Sequence, residues 1–362
     1  MVGPHVCTLD TDAIRALGVT GVQARVTTGP GRDLVATSGV AVAGTKRPVP
    51  RHGYFRMAST GKALVATVLL QLVDEGKVAL DDTVDRWLPG LVDRNGNDGR
   101  RITVRQLLQH TSGIHDDDIP GYTTPQEYHE RRYDTYTPQQ IVARAMGHRP
   151  DFTPGTGWSY SNTGYVLLGM IIEKVTERPW QREVETRILK PLGMDHTYLP
   201  GSTPTLRRPH ANAYQVFPSG ERVDVTKVVL PGPGGYVSTT ADVNRFFQAL
   251  LGAKLLPQAR LAEMQDTIPV NKEIQAFWPH GRYGLGLVNR PLSCGGSYWS
   301  HEGGDGGYIT LNGATDDGGR TVTVSMSTAL NDAPDNALGQ EQAASSLVDH
   351  ALCATPGNGQ DR

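Results

Sequence analysis

Ser59 and Lys62 stand three positions apart, at the head of a run that reads as one helix from Ser59 to about Glu75. Residues at that spacing share a helix face, one turn apart. A serine hydroxyl is a poor nucleophile until a neighbour takes its proton. A lysine amine one turn away can take it, provided that burial, positive charge or a dipole lowers its pKa. A helix N-terminus at Ser59 also aims backbone N–H groups at developing negative charge. Ser-x-x-Lys arises about once by chance in a chain this long, and the competing reading is an N-cap serine with an exposed lysine. The residues after Lys62 weigh against it. Ala63, Leu64, Val65, Ala66, Val68, Leu69, Leu70 and Leu72 make a nearly continuous apolar run. A helix apolar on most sides is buried, and a buried ammonium needs partners.

Two segments offer them. Tyr160 and Asn162 lie in the turn-rich stretch Pro154–Gly164, just before a helical pattern at 164–177. A phenol beside a lysine ammonium can have a depressed pKa and shuttle protons. An asparagine amide can bond both the lysine and a substrate carbonyl. The competing reading is a capping loop, with Asn162 or Thr163 as the N-cap. Further on, His301-Glu302-Gly303-Gly304 follows the strand-like Tyr298-Trp299-Ser300. A strand edge bearing glycine lets another backbone approach closely. It can then present N–H groups to a substrate and complete an oxyanion hole. The alternative is a histidine on a sheet face followed by a glycine turn.

The elements that must bring these groups together are legible in outline. Valine-rich alternation at 20–28 and 33–43 predicts paired strands, and strand signals return at 283–289, 297–302, 307–313 and 320–328. Helical patterns fall at 9–17, 103–110, 138–147, 164–177, 180–189, 241–252 and 259–266, and a terminal helix at about 338–352. The expected fold is α/β (α+β): an antiparallel five-stranded sheet flanked by terminal helices, with an inserted, mostly helical domain. The expected division is a sheet domain from 1–80 and 240–362, a helical domain at 81–239, and an active site between them.

At 362 residues, the chain can bury a large core. A formal net charge of −2, without a long basic run, gives no electrostatic case for nucleic acid. No apolar stretch reaches membrane-spanning length. Cys294 and Cys353 can form one bridge, with Cys7 left over, and a bridge implies an oxidising compartment. No leader pattern precedes Leu17. Localisation is therefore expected to be extracellular if a leader has been removed, and cytoplasmic if the chain is complete.

The order Ser-x-x-Lys, Tyr-x-Asn, His-x-Gly resembles the penicillin-recognising serine enzymes: class C β-lactamases, soluble serine D-Ala-D-Ala carboxypeptidases, D-aminopeptidases and related esterases. The stretches Leu69–Lys77, Ile102–Gly113 and Tyr283–Leu287 look like that family too. So do Leu292-Ser293-Cys294 and the late Cys353, which match a disulfide pair in the soluble carboxypeptidases. The resemblance implies that Ser59 is acylated, that Lys62 and Tyr160 move the proton, and that Asn162 holds the acyl-side amide. It implies that His301 replaces a lysine as a proton donor near Tyr160, and that the N–H groups of Ser59 and Gly304 hold the oxyanion. No metal or cofactor is implied, and β-lactams are implied as acylating inhibitors.

Three departures bear on substrate. Val288 stands where the carboxypeptidases carry a carboxylate-binding arginine, with Arg290 and Arg282 as possible stand-ins. Glu302 and Gly304 replace threonines. The loop after Gly113 carries Asp116, Asp117 and Asp118. A substrate carboxylate would be repelled there and an amine attracted, unless the aspartates form a solvated loop. The substrate-binding set is thus expected to include Gly303, Gly304, Glu302, Asp116 and Asp118. The expected activity is a serine acyl-enzyme hydrolase of D-residue peptides, carboxypeptidase-like or D-stereospecific. The alternatives are an intracellular acyltransferase, peptide cyclase or esterase acting on a peptide-like ester or thioester, and a non-catalytic binding protein.

Other motifs are set aside. His301-Glu302 is followed by Asp305 where a zinc helix needs histidine, and Gly61-Lys62 lacks the hydroxyl residue and first glycine of a phosphate loop. Asp93–Asp98 has the wrong spacing for calcium. The remaining histidines form no ligand-spaced cluster in sequence.

Overall fold

In the computed structural model, which describes residues 4–29, 32–117 and 121–354, strands from both ends of the chain share one antiparallel sheet. Its strands are β1 (Gly21–Thr28), β2 (Asp33–Gly39), β3 (Ile268–Pro269), β4 (Arg282–Tyr283), β5 (Val288–Pro291), β6 (Ser297–Ser300), β7 (Gly303–Gly304), β8 (Ile309–Ala314) and β9 (Arg320–Met326). The order is β2-β1-β9-β8-β6-β5-β4-β3, with β7 also paired to β8. The sheet is wider than the five strands expected. Part of the extra width comes from 283–289, which breaks in two where Gly284 N–H bonds to Leu287 O at 2.8 Å.

Alternation sets the register. β1 runs antiparallel to β9 from Val22↔Met326 to Thr28↔Arg320. Val22, Ala24 and Val26 pack with Val322, Val324 and Met326 against apolar residues of α1 (Pro4–Ala16) and α5 (Pro334–Cys353), among them Ile14, Leu347 and Val348. The intervening residues are polar and meet α4 (Thr240–Leu251) on the other face. There Asn244 donates to Arg25 O and Thr27 Oγ1 and accepts from Thr323 Oγ1 at 2.7 Å. A one-residue slip would bury those polar groups against the apolar helices.

The second core surrounds α2 (Gly61–Asp74), which is buried along nearly its whole length. It packs on α3 (Asn162–Thr176), whose Leu167, Leu168, Ile171 and Ile172 are all fully buried in the same core. Each such leucine or isoleucine contributes about 1.5–3 kcal/mol by leaving water. Between α2 and α4 the described chain is mostly short helices and loops. The Cys294–Cys353 disulfide ties the β5–β6 turn to the end of α5. The side chain of Cys7 lies outside the described residues.

Candidate active site

Ser59 does not open the long helix. It sits in a one-turn 3-10 segment, Ala58–Thr60, and α2 proper begins at Gly61. Ala58 carries φ +47°, which L side chains rarely adopt and which functional turns often store. β7 packs on this turn. A Cβ on Gly303 would lie 2.1 Å from Met57 O and 3.0 Å from Ser59 N, so only glycine fits. Thr60 Oγ1 donates to His301 O at 2.8 Å, and Asn312 clamps the same peptide from β8. Sheet edge and helix head are thereby fastened around Ser59.

Lys62 reaches two partners. Its Nζ lies 3.0 Å from Ser59 Oγ and 2.7 Å from Asn162 Oδ1. Burial pulls its pKa from 10.5 down to about 7, and the negative charge of Asp116 opposes that shift. The amine therefore becomes neutral near physiological pH and can accept the serine proton. It lies over the Tyr160 ring, 4.8 Å from the centroid. Asn162 is oriented from behind, since its Nδ2 donates to Asp116 Oδ2 at 2.9 Å. Its amide oxygen is therefore turned to the lysine.

Tyr160 departs from expectation. Its ring is partly exposed, but its hydroxyl is buried and has no hydrogen-bond partner among the described residues. Burial raises the phenol's pKa well above the ordinary value. The depressed pKa expected from the nearby lysine is not found: burial dominates, and Tyr165, Asp116 and Glu302 push the same way. Tyr160 therefore keeps its proton and is not a resident phenolate.

His301 is also placed differently. Ser161 N–H donates to His110 Nδ1 at 3.1 Å, so His110 carries its proton on Nε2 and donates to Tyr283 Oη at 3.1 Å. The Tyr283 hydroxyl then donates to His301 Nε2 at 3.0 Å, and His301 Nδ1–H donates to Glu302 O at 2.9 Å. Burial and the Lys62 charge lower the pKa of His301 to about 3. Both ring nitrogens are engaged and the ring is neutral. His301 therefore does not supply a proton to Tyr160; it closes a fixed polar chain behind the phenol.

The substrate-side residues divide. Asp116 does not wait for an amine. It accepts from Thr163 N, Thr163 Oγ1 and Asn162 at the first turn of α3, where the helix dipole favours a carboxylate. The N-cap itself is Ser161, not Asn162 or Thr163. Glu302 is engaged by Arg290 at 2.6 Å and Trp278 Nε1 at 2.7 Å. Arg290 also pairs with Glu341 at 3.1 Å, and Arg282 bonds Thr267, so both arginines are committed. Asp118 lies outside the described residues. Ser59, Lys62, Asn162, Gly304, Asp117 and Asp305 all line one cavity of about 270 Å³. Asp305 is itself held by Gly307 N, Tyr308 N and the buried Arg56.

Sequence reasoning assigned no role to His110, Tyr283, Thr60 or Asn312. His110 and Tyr283 fall in stretches noted above for their resemblance, which was the available signal. Thr60 and Asn312 have no signature, since each acts by bonding one distant peptide.

Residues 11–346 match the Beta-lactamase family. A penicillin-binding protein of Bacillus subtilis (strain 168) is 30% identical over 74% of this chain and 59% of its own length. Penicillin-binding protein 4 of Amycolatopsis lactamdurans is 30% identical over 67% of this chain and 66% of its own. The matched stretch thus spans less than two thirds of either relative. Among solved structures, a D-stereospecific amidohydrolase from Streptomyces sp. superposes with TM-score 0.87 at 38% identity, covering 98% of this chain and 100% of that one. D-amino acid amidase from Ochrobactrum anthropi SV3, complexed with L-phenylalanine amide, gives TM-score 0.82 at 28% identity, covering 96% and 97%.

Proposed function

Because the chain belongs to the Beta-lactamase family, we propose that it is a serine hydrolase that cleaves amides of D-amino acids through an acyl-enzyme on Ser59. The observation that carries this reading is the position of Lys62, desolvated and within hydrogen-bond reach of both Ser59 Oγ and Asn162 Oδ1. Neutral Lys62 takes the Oγ proton as Oγ bonds the substrate carbonyl carbon. The N–H groups of Ser59 and Gly304 hold the oxyanion. Lys62 and Tyr160 return the proton to the leaving amine as the C–N bond breaks. Water then attacks the ester, releasing the acid and restoring Ser59. We place the reacting carbonyl between a sheet domain of residues 1–80 and 240–362 and a helical domain of 81–239. Gly303, which lets β7 lie against the Ser59 turn, completes the substrate edge.

The substrate class rests on the D-stereospecific amidohydrolase and D-amino acid amidase named above, both of which match nearly the whole chain. Two further features favour a neutral amide over a terminal carboxylate. Arg290 is held by Glu302 and Glu341, and Arg282 by Thr267. β-Lactams, as cyclic amides, are proposed as acylating inhibitors.

The test is ammonia release from D- and L-phenylalanine amide, beside D-alanine release from a D-Ala-D-Ala peptide, with the intact protein mass followed in each. We expect the D-amide to be turned over fastest and a β-lactam adduct to map to Ser59. Equal turnover of the L-amide would remove the stereochemical claim. Faster cleavage of the carboxylate-ended peptide would restore the carboxypeptidase reading. Turnover surviving in Ser59→Ala would remove the acyl-enzyme.

A further inference from the structure

We propose that His115, Asp117 and His148 form a binding site for a divalent transition-metal ion of the zinc type, at the rim of the cavity that holds Ser59. One ligand atom from each residue lies within 4.8 Å of the others. The His115 and His148 rings lie 4.3 Å apart, centroid to centroid. His148 Nε2 is 3.4 Å from Asp117 Oδ1. Two imidazoles and one carboxylate form a donor set suited to zinc and its neighbours, not to calcium or magnesium. Three protein ligands leave a fourth position for water or a group entering the cavity that Asp117 lines.

An independent observation supports ligation. His115 Nδ1 bonds Asp151 Oδ1 at 2.8 Å. That contact fixes the ring and occupies Nδ1, so ligation would fall to Nε2, with Asp151 in the place that outer carboxylates take behind metal-bound histidines. The scaffold is also firm. Asp151 N–H bonds Gly113 O at 2.8 Å, and a Cβ on Gly113, which has φ +76°, would meet Phe152 O at 2.2 Å. His148 O accepts from the buried Asn97 Nδ2 at 3.0 Å. The two loops bearing the ligands are thus pressed together before any ion arrives.

The competing account is that Asp117 is satisfied by cations alone, since Arg144 Nε lies 3.3 Å from its carboxylate. The Arg144 side chain is 49% exposed and can turn to water when an ion enters. The two accounts differ in what removing Arg144 does. Pairing by cations makes Arg144 a support; ligation makes it a competitor.

The experiment uses the full chain after chelator treatment, titrated with Zn²⁺ by calorimetry and with Co²⁺ by visible absorption. One equivalent should bind, with the strong visible band of a four-coordinate cobalt site. His115→Ala and His148→Ala should each weaken binding at least about tenfold, and Asp151→Asn by about 10–100-fold without touching the ion. Arg144→Ala should bind as tightly as the parent, or more tightly. Absence of one-to-one binding in the parent, or equal affinity in the His115→Ala/His148→Ala double variant, would overturn the site. Thermal melts of each variant separate loss of ligand from loss of fold, and the readout does not depend on the reaction at Ser59.

Discussion

Behind Ser59 stand His110 and His301, each 1% exposed; at the cavity rim stand His115 and His148, with side chains 36% and 48% exposed. In the buried pair every ring nitrogen is matched to one donor or acceptor, and Tyr283 joins the two rings into a chain of fixed direction. A charge there would lack compensation, so the imidazoles stay neutral and act as shaped polar filler. At the rim, solvent tolerates charge, and Asp117 lies beside Arg144 and His148. The same side chain thus serves as a rigid wall in one region and as a ligand in the other. Lys62 belongs to the first regime, and its lowered pKa follows from the same desolvation.

This contrast can be broken at several points. The largest effect is expected at the buried end, where nothing from the rim can substitute. Ser59→Ala should lower kcat/KM by about 10⁴-fold or more and abolish the acyl adduct seen by mass spectrometry. Lys62→Ala should cost about 10²–10⁴-fold, the usual range for a lost general base, with the fold retained by circular dichroism.

Arg290→Met tests how far the wall relies on its charges. It would leave Glu302 and Glu341 buried without their cation. A loss of about 3 kcal/mol in urea unfolding is expected, as for other broken buried pairs. An unchanged midpoint would mean that the carboxylates find other compensation.

The pH profile sharpens the distinction between amine and imidazole. Acylation should rise with pH through about 7 as Lys62 loses its proton. No second limb should appear from His301, whose pKa lies near 3. The linked stability effect has a definite sign. Between about 7 and 10.5 the unfolded chain holds a proton on residue 62 that the folded chain lacks. This group's contribution to stability therefore increases with pH across that window, and Lys62→Met should flatten the slope in denaturant titrations. The smallest effect is expected from Asp116→Asn. Removing the charge that raises the Lys62 pKa should move the acid limb below about 7, whereas an upward move would contradict the assigned cause.

Much of the site could be read because it is local. Ser59 and Lys62 meet through helical spacing, and the apolar run after Lys62 required its burial in advance. The alternation in β1 and β9 likewise dictated which face met the apolar terminal helices α1 and α5. The direction of the Tyr160 shift could not be read, since it depends on how deeply the hydroxyl is buried and on which acidic groups surround it. Nor could Asp116 be told from Asp117. They are adjacent in the chain, yet one accepts hydrogen bonds from Thr163 in the first turn of α3 while the other lines the cavity.

The amino-acid order by itself settled the chemical inventory: a hydroxyl and an amine one turn apart, a partner amide, and strand ends rich in glycine. Only tertiary packing decided which groups keep their charge. Desolvation and hydrogen-bond direction depend on distances through space, and the contacts that set them here join residues 110 to 283 and 283 to 301, or 115 to 148. No periodicity along a chain encodes such a distance.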